Sequence, residues 1–495
     1  MADSENHGNN MSDSLVEQQL REFDNLVSDG AIVITDSSDN EYDGPVDLTS
    51  DTDDDEPDQG QFLDGTVRLT QILHEPRDTN RYYTFTDVVQ PTKLRKALLT
   101  TFVLDDHWVR SHFDRSTRLV IVKSYRPGEE RPGVVQSDDG QLTYVNTVFG
   151  KQKYPVMHSK TMLLFYDRYV RFVASSANLL EIDWTVLANI LFIQDFPYTP
   201  NRIPVDSQQG LRFRCTLETA LRDMDVPEQV VAQLKHIDMT RARAHLVTTV
   251  PSTRPRPRNR PDAAEQYGVQ RLAQVVASLR GSTPQAAWFD TQMFCYGSSL
   301  GPLDRQYLAS FHMYVLGGST KYPDRVYREL GYPDEDAYVA HLLDRNIAVG
   351  FHTQDQTNGN RFGVVPKKCI MLSSDVYLDR NYPSFALHKV TPRVSDVLIH
   401  AKVIFARHSG SQGWMYLGSH NFTRGAWGSY QARRESGYYF NNYEFGVVLP
   451  DIQYIEKGPD GRTAVVWNGV EIPVPFDPYP WCRYSEMDMP SLNEM

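Results

Sequence analysis

Two stretches of this 495-residue chain carry the same pattern of side chains, one in each half, and that repeat constrains the fold more than any other feature. In PVMHSKTMLLFY (155–166), His158 and Lys160 stand two residues apart at the entrance to a run suited to a buried strand. In VLIHAKVIFARH (397–408), His400 and Lys402 do the same. Residues two apart in extended chain share a face, so each histidine points the same way as its lysine. A lysine aimed into a sheet's interior side is costly unless an anion meets it. The likeness continues downstream. Seventeen residues separate Lys160 from Asn178 in ASSANLLEIDW, and 18 separate Lys402 from Asn421 in LGSHNFTRGAW. Each asparagine has a serine two positions earlier, Ser176 and Ser419, and a tryptophan six later, Trp184 and Trp427. A lone His-x-Lys has no weight, because a single core histidine is more simply a satisfied buried imidazole. Two spaced triplets, one per half, point instead to a duplicated unit.

The rest of the chain fits a duplicated α/β body. Strand-like runs (TFVLDDHWV, RLVIVKSY, TMLLFY, VRFVASSANL) alternate with helix-like ones, which predicts sheets covered on both faces. PSTRPRPRNRPDAAEQ (251–266) alternates Pro with Arg and reads as an exposed linker. Its Arg254, Arg256, Arg258 and Arg260 are either a solvated surface or a contact to an anionic partner or import factor. The helix-period pattern EQYGVQRLAQVVASLR follows. The division expected is a tail over 1–61, one domain over 62–252 and a second over 253–495, the two domains being similar α/β sandwiches related by a pseudo-two-fold axis.

Net charge divides the same way. Residues 1–60 hold 18 acidic residues and one basic residue, Arg21; the remainder holds 45 acidic and 49 basic residues, a net of +4. An acidic tail therefore precedes a mildly basic body, and the overall charge of −13 describes neither. The tail is too polar to offset the entropy of folding and reads as disordered. Two apolar islands interrupt it, AIVITDSSDNE (31–41) and PVDLTSDTDDDE (45–56). Each places β-favouring residues (Ile32, Val33, Ile34; Val46, Leu48) before acidic and phosphorylatable ones, an arrangement able to add a strand to a partner's sheet edge. Both islands resemble motifs that bind the small modifier SUMO. No run approaches the roughly 18 apolar residues of a membrane span, and the start MADSENHGNN lacks the regions of a secretory signal. Cys215, Cys295, Cys369 and Cys482 have no paired spacing and read as reduced, mostly buried thiols of an intracellular protein. Neither a zinc motif nor a phosphate-cradling Gly-rich loop is present. No cofactor and no metal are expected.

Two histidines, two lysines and two asparagines gathered by a pseudo-two-fold axis would surround a phosphate. The lysines supply charge and the amides directed donors where negative charge develops. One imidazole can attack phosphorus and the other can protonate the leaving oxygen, then deprotonate water. The repeat alone does not say which is which.

These elements resemble those of the phospholipase D superfamily, whose usual pattern is His-x-Lys, four residues, Asp. Here Phe165 and Arg407 stand where that aspartate falls. Their absence matches the tyrosyl-DNA phosphodiesterase subgroup, as do SSANLLEIDW, GSSLG (297–301), LGSHNFTRGAWG and YEFGVVLP (443–450). The resemblance spans residues 62–495. It implies His158 as the nucleophile, forming a covalent phosphohistidine, and His400 as general acid, then base. Lys160, Lys402, Asn178 and Asn421 would bind the phosphate, and Glu444 would orient His158. Asn189 stands where the family carries Gln to orient its second histidine, one methylene shorter, which leaves it to work through water or not at all. Tyr154 occupies the place of a base-stacking aromatic, with a packed strand-entry tyrosine as the plain alternative. Ser298 and Ser299 are candidate contacts to the DNA backbone.

The function implied is metal-independent hydrolysis of the 3'-phosphodiester between DNA and a tyrosine peptide left by a type IB topoisomerase, giving a 3'-phosphate, in the nucleus, by a monomer without membrane association. Other 3' blocks would be further substrates. The competing readings are a superfamily nuclease or lipid phosphodiesterase, and a non-catalytic scaffold binding DNA and SUMO.

Overall fold

The computed structural model describes residues 61–126, 131–137, 140–147, 156–199, 208–252, 267–283, 288, 290–318, 331–430, 438–458, 460–485 and 487–493. The tail with Ile32, Val33, Ile34, Val46 and Leu48, the arginines of the Pro-Arg linker, and Tyr154 lie outside them.

Two large sheets carry the molecule. The first is built from β1 (Thr66–Thr70), β2 (Tyr82–Tyr83), β3 (Lys96–Thr100), β4 (Arg118–Ser124), β5 (Gly133–Gln136), β6 (Leu142–Thr147), β7 (Thr161–Phe165), β8 (Tyr169–Ser175) and β9 (Ile190–Pro197), in the order β2-β1-β9-β8-β7-β3-β4-β6-β5. The second uses β10 (His245–Thr249), β11 (Gln292–Tyr296), β12 (Ile347–Phe351), β13 (Leu387–Lys389), β14 (Val403–Ser409) and β15 (Gln412–Gly418). A small ribbon, β16 (Ser429–Tyr430) with β17 (Tyr438–Tyr439), precedes its long strand β18 (Glu444–Ile455), followed by β19 (Ala464–Trp467), β20 (Val470–Ile472) and β21 (Cys482–Arg483). Its order is β20-β19-β18-β15-β14-β11-β12-β13-β21, with β10 pairing β18 as well.

The two orders match in their six central strands. In each, three antiparallel strands (β9-β8-β7; β18-β15-β14) continue antiparallel into three parallel ones (β3-β4-β6; β11-β12-β13). This is the duplication that the repeat predicts, two α/β units about a pseudo-two-fold axis. The strand before the linker, β10, runs antiparallel to β18 within the second sheet.

Side-chain alternation explains why the sheets stack. In the first sheet, Leu98, Leu163, Phe165, Phe172, Ile190 and Phe192 join a core that continues into the second sheet, where Phe172 meets Phe445 at 6.0 Å between rings. Their neighbours Leu99, Met162, Leu164, Val173, Leu191 and Ile193 fill a separate core on the other face. Period-two apolar sequence on both parities yields a sheet buried on both sides.

The predicted helix forms over Gly268–Arg280. Cys295 and Cys369 are buried, whereas Cys215 and Cys482 are exposed, so half rather than most of the thiols are shielded; Cys215 lies on the solvent side of the amphipathic helix Gln208–Asp223. No helix among the described residues is long and apolar enough to cross a membrane.

One buried ion pair ties the edge of the body to its centre. Arg171 on β8 meets Asp195 on β9 through Nε at 2.7 Å and Nη2 at 3.0 Å, and Asp195 also accepts from the Gln61 and Phe62 amides. Both side chains are fully buried. Removing one partner strands the other charge without water, so Arg171→Ala is expected to cost about 3–5 kcal/mol, read as a lowered denaturant midpoint; no shift would mean that water replaces the guanidinium.

Candidate active site

The two His-x-Lys segments lie just before β7 and β14, and each reaches across to the other half. Met157 bridges to Tyr443 in parallel register, and Ile399 to Ala188. The backbone bonds nearly coincide: His158 N–H donates to Tyr443 O at 3.0 Å, and His400 N–H to Ala188 O at 2.9 Å. The residue after each bridge partner, Glu444 or Asn189, therefore sits beside the opposite histidine. His158 Nδ1 lies 2.8 Å from Glu444 Oε2, and His400 Nδ1 lies 3.1 Å from Asn189 Oδ1. Asn189 thus reaches His400 directly, despite the shorter side chain.

The serines matched in the repeat hold these partners. Ser176 Oγ donates to Asn189 Oδ1 at 2.7 Å while accepting from Ile190 N–H; Ser419 Oγ donates to Glu444 Oε2 at 2.6 Å while accepting from Phe445 N–H. Asn189 Nδ2 donates to Asp183 O at 2.8 Å, an acceptor-only group, so its Oδ1 is the atom facing His400. Both imidazoles consequently carry their proton on Nδ1 and leave Nε2 for the cleft.

Each lysine folds back on its own segment. Lys160 Nζ donates to His158 O at 2.9 Å and Lys402 Nζ to His400 O. Lys402 Nζ also donates to Ser298 Oγ at 3.1 Å, and Ser298 Oγ to Asn421 Oδ1 at 3.4 Å. Ser299 N–H reaches the same Asn421 oxygen at 3.2 Å, which turns the amide nitrogen elsewhere. Gly297 permits this approach, because a Cβ there would stand 2.6 Å from Phe422 N. In the first half, Asn178 is held by its backbone: Trp184 Nε1 donates to its carbonyl at 2.9 Å, and its own N–H donates to Asp183 Oδ2.

His158, Lys160, Asn178, His400, Lys402, Glu444 and Asn189 are thus brought together, with Ser298 turned inward and Ser299 beside Asn421. His158 and His400 keep 9% and 6% of their surface exposed, while Lys402, Glu444 and Asn189 keep none, so the imidazoles are what the cleft presents. Spacing alone missed Asp183, fully buried with Oδ2 3.5 Å from His400 Nδ1. Its signal was a departure from the repeat: Asp183 and Ala426 each stand five residues after the matched asparagine. Phe102, whose ring lies 5.3 Å from the His158 ring and 5.8 Å from Lys160 Nζ, was missed as well and has no counterpart signal.

Burial governs the charges. It pushes His158 down to about 4, helped by Lys160 and Lys402 against the pull of Glu444. His400 falls well below the ordinary imidazole value through burial, Lys402, Lys160 and His158. Burial lowers Lys160 to about 8 and, with repulsion from Lys160, takes Lys402 well down. Burial opposes ionisation of Glu444, yet His158 and its hydrogen bond hold that carboxyl at about 2. Four buried groups that bear or accept positive charge, all depressed, describe a cavity that gains from an anion. Among the described residues no group of three or more His, Cys, Asp or Glu stands as a metal-holding cluster.

Known proteins resemble this chain in sequence and in fold. Tyrosyl-DNA phosphodiesterase 1 of Arabidopsis thaliana is 23% identical over 410 residues, 78% of this chain and 62% of that protein, so the chain spans less than two thirds of its curated relative. The crystal structure of yeast tyrosyl-DNA phosphodiesterase superposes with a TM-score of 0.55 at 14% identity, covering 78% of this chain and 89% of that one. A mutant of the yeast enzyme gives 0.61 at 14% identity, covering 86% and 99%. At that identity the structures speak for the fold. The family described as tyrosyl-DNA phosphodiesterase matches residues 66–485, most of the chain, and with its two sheets and paired His-Lys-Asn elements this chain belongs to that family.

Proposed function

We propose that the chain hydrolyses the phosphodiester joining a DNA 3' end to tyrosine, the remnant of a trapped type IB topoisomerase, and leaves a 3'-phosphate. The observation that carries this reading is the unequal support of two otherwise matched histidines: a carboxylate, Glu444, at 2.8 Å from one and a neutral amide, Asn189, at 3.1 Å from the other.

A carboxylate on Nδ1 offsets the positive charge that His158 acquires on bonding to phosphorus, which suits the nucleophile. An imidazole whose Nδ1 is hydrogen-bonded by a neutral amide holds its positive charge less firmly than one hydrogen-bonded by a carboxylate, which suits the acid. In the first step His400, having taken up a second proton on Nε2 as the phosphodiester binds, passes that proton to the tyrosyl oxygen while His158 Nε2 bonds to phosphorus and the bond to that oxygen breaks. In the second, His400 Nε2 takes a proton from water as the water oxygen attacks phosphorus and the N–P bond breaks. Lys160, Lys402, Asn178 and Asn421 bind the non-bridging oxygens in both.

The finer proposals follow the same chemistry. The body divides in sequence at 62–252 and 253–495, with β10 of the first part lending its strand to the second sheet. Tyr154 stacks on a base, Ser299 contacts the DNA backbone, Ser298 acts through Lys402 and Asn421, and the tail binds SUMO through its two islands. Other 3' blocking groups are substrates, and the nucleus is where such ends arise.

The test is a single strand bearing a 3'-phosphotyrosine, incubated with purified protein and a chelator. Release of tyrosine and a 3'-phosphate is expected. An absolute metal requirement would sink the mechanism. Turnover of plain oligonucleotide or phospholipid instead would favour a superfamily nuclease or lipase, and tight binding without turnover a scaffold.

A further inference from the structure

Asp183 is the one buried carboxylate of the site that the proposed reaction leaves idle. We infer that Asp183 is a positioning residue for that reaction, supplying His400 with the negative charge that Asn189 lacks and so making protonation of His400 follow the binding of a phosphate. The inference rests on the functional reading above and deepens it.

The geometry separates two states of His400. At 3.5 Å, Asp183 Oδ2 is too far for a good hydrogen bond to a neutral imidazole, whose Nδ1–H already has Asn189 Oδ1 at 3.1 Å. Toward an imidazolium the same separation is a close ion pair in a buried setting. Asp183 therefore stabilises the acid form selectively. Its other oxygen, Oδ1, is buried without a hydrogen-bond partner, and the carboxylate is stabilised by the Asn178 amides, Lys402 and Lys160.

The groups around His400 complete the balance. Lys402 faces it from its own segment, Lys160 and His158 from the entrance to β7, and Asp183 from the helix Glu181–Thr185 at 3.5 Å; Asp183 also acts on Lys160 and, with Cys369 and Glu444, on Lys402. Burial pushes the Asp183 carboxyl up, opposed by the Asn178 amides, Lys402 and Lys160, and pushes Lys402 down. Counted with both carboxylates ionised and both lysines protonated, two lysines oppose Glu444 and Asp183, and the imidazoles are neutral. A proton shared between Asp183 and Lys402 leaves that sum unchanged. A phosphodiester brings one negative charge into this balanced cavity and draws in one proton. His400 receives it, since His158 is committed to Glu444 and needs its Nε2 lone pair. The repeat itself is asymmetric here: each histidine has one carboxylate, Glu444 in contact with His158 and Asp183 near His400, and the two come from non-equivalent positions, with Ala426 opposite Asp183 in the motif.

The test compares wild type with Asp183→Asn, which keeps the volume and an acceptor for the Asn178 N–H. Two substrates are used: a 3'-phosphotyrosyl oligonucleotide and the same strand ending in a 4-nitrophenyl phosphodiester, whose leaving group departs without a proton. First-turnover cleavage of the tyrosyl substrate is expected to fall about tenfold or more at neutral pH. Its alkaline limb should move about one unit lower, because the acid now loses its proton sooner. First-turnover release of nitrophenolate should change by less than about threefold. Equal losses on both substrates with an unmoved limb would make Asp183 merely structural and overturn the inference. Asp183→Ser, also uncharged and able to accept from the Asn178 amide, repeats the comparison if the first variant folds poorly. A measurement without turnover stands beside it, the NMR titration of the His400 imidazole with and without inorganic phosphate. Phosphate should raise the wild-type pKa and raise that of Asp183→Asn by about one unit less; no rise in wild type overturns the inference. If wild type cleaves neither substrate the functional reading fails, and this titration still decides the role of Asp183.

Discussion

Replacing His158 with alanine is expected to remove turnover of a 3'-phosphotyrosyl strand by at least about 10⁴-fold. His158 is the imidazole whose Nδ1 is held by an ionised carboxylate and whose pKa is pushed to about 4, so its Nε2 lone pair is free at neutral pH. Direct attack by water is no substitute, since His400 is needed as the acid for the tyrosyl oxygen and cannot serve as the base for water in the same step, while the lysines and amides only bind the anion. The same variant should show no protein–DNA adduct on a denaturing gel at any pH. It also leaves Glu444 fully buried without its imidazole, so some loss of stability accompanies it, and circular dichroism separates that from the chemistry. Residual activity within about tenfold of wild type would reassign the nucleophile.

Substituting His400 with alanine should have a different signature. With a tyrosyl leaving group both steps slow, because each needs this imidazole, first as acid and then as base. With a 4-nitrophenyl leaving group the first step needs no proton, so the phosphohistidine should form at close to its normal rate and then persist, its hydrolysis slowed by about 10²–10⁴-fold. The readout is a DNA-linked band on a denaturing gel that outlasts substrate consumption. Absence of any trapped adduct on that substrate would mean that His400 is not the base of the second step. The pair of outcomes discriminates the two histidines, which share burial, backbone bonding and a neighbouring lysine, and differ in what stands behind Nδ1.

Much of the fold was legible because its signals are local. The strand runs after Lys160 and Lys402 are β7 and β14, and the apolar period over 265–280 became a helix beginning at Gly268. The two triplets converge as expected, and the matched serines prove to hold Asn189 and Glu444 in place. Asn189 was ambiguous because the reach of a side chain depends on how closely two backbones approach. The bridge of Ala188 to Ile399 brings them close enough for direct contact.

From the sequence alone came the duplication, the two His-Lys-Asn triplets and the strands that display them, since each depends on spacing within one segment, where the backbone period sets which residues share a face. The tertiary structure alone decided which residue backs which histidine. Glu444 lies 286 residues from His158, and Asn189 lies 211 from His400. In the chain the two backing residues look unrelated: Asn189 comes 11 residues after its asparagine, whereas β16 and β17 intervene before Glu444. They become equivalent only when the residue just before β9 and the first residue of β18 are each presented to the opposite half. Asp183 belongs with them. Its place beside His400 follows from a pairing between halves, and no spacing within one segment encodes that.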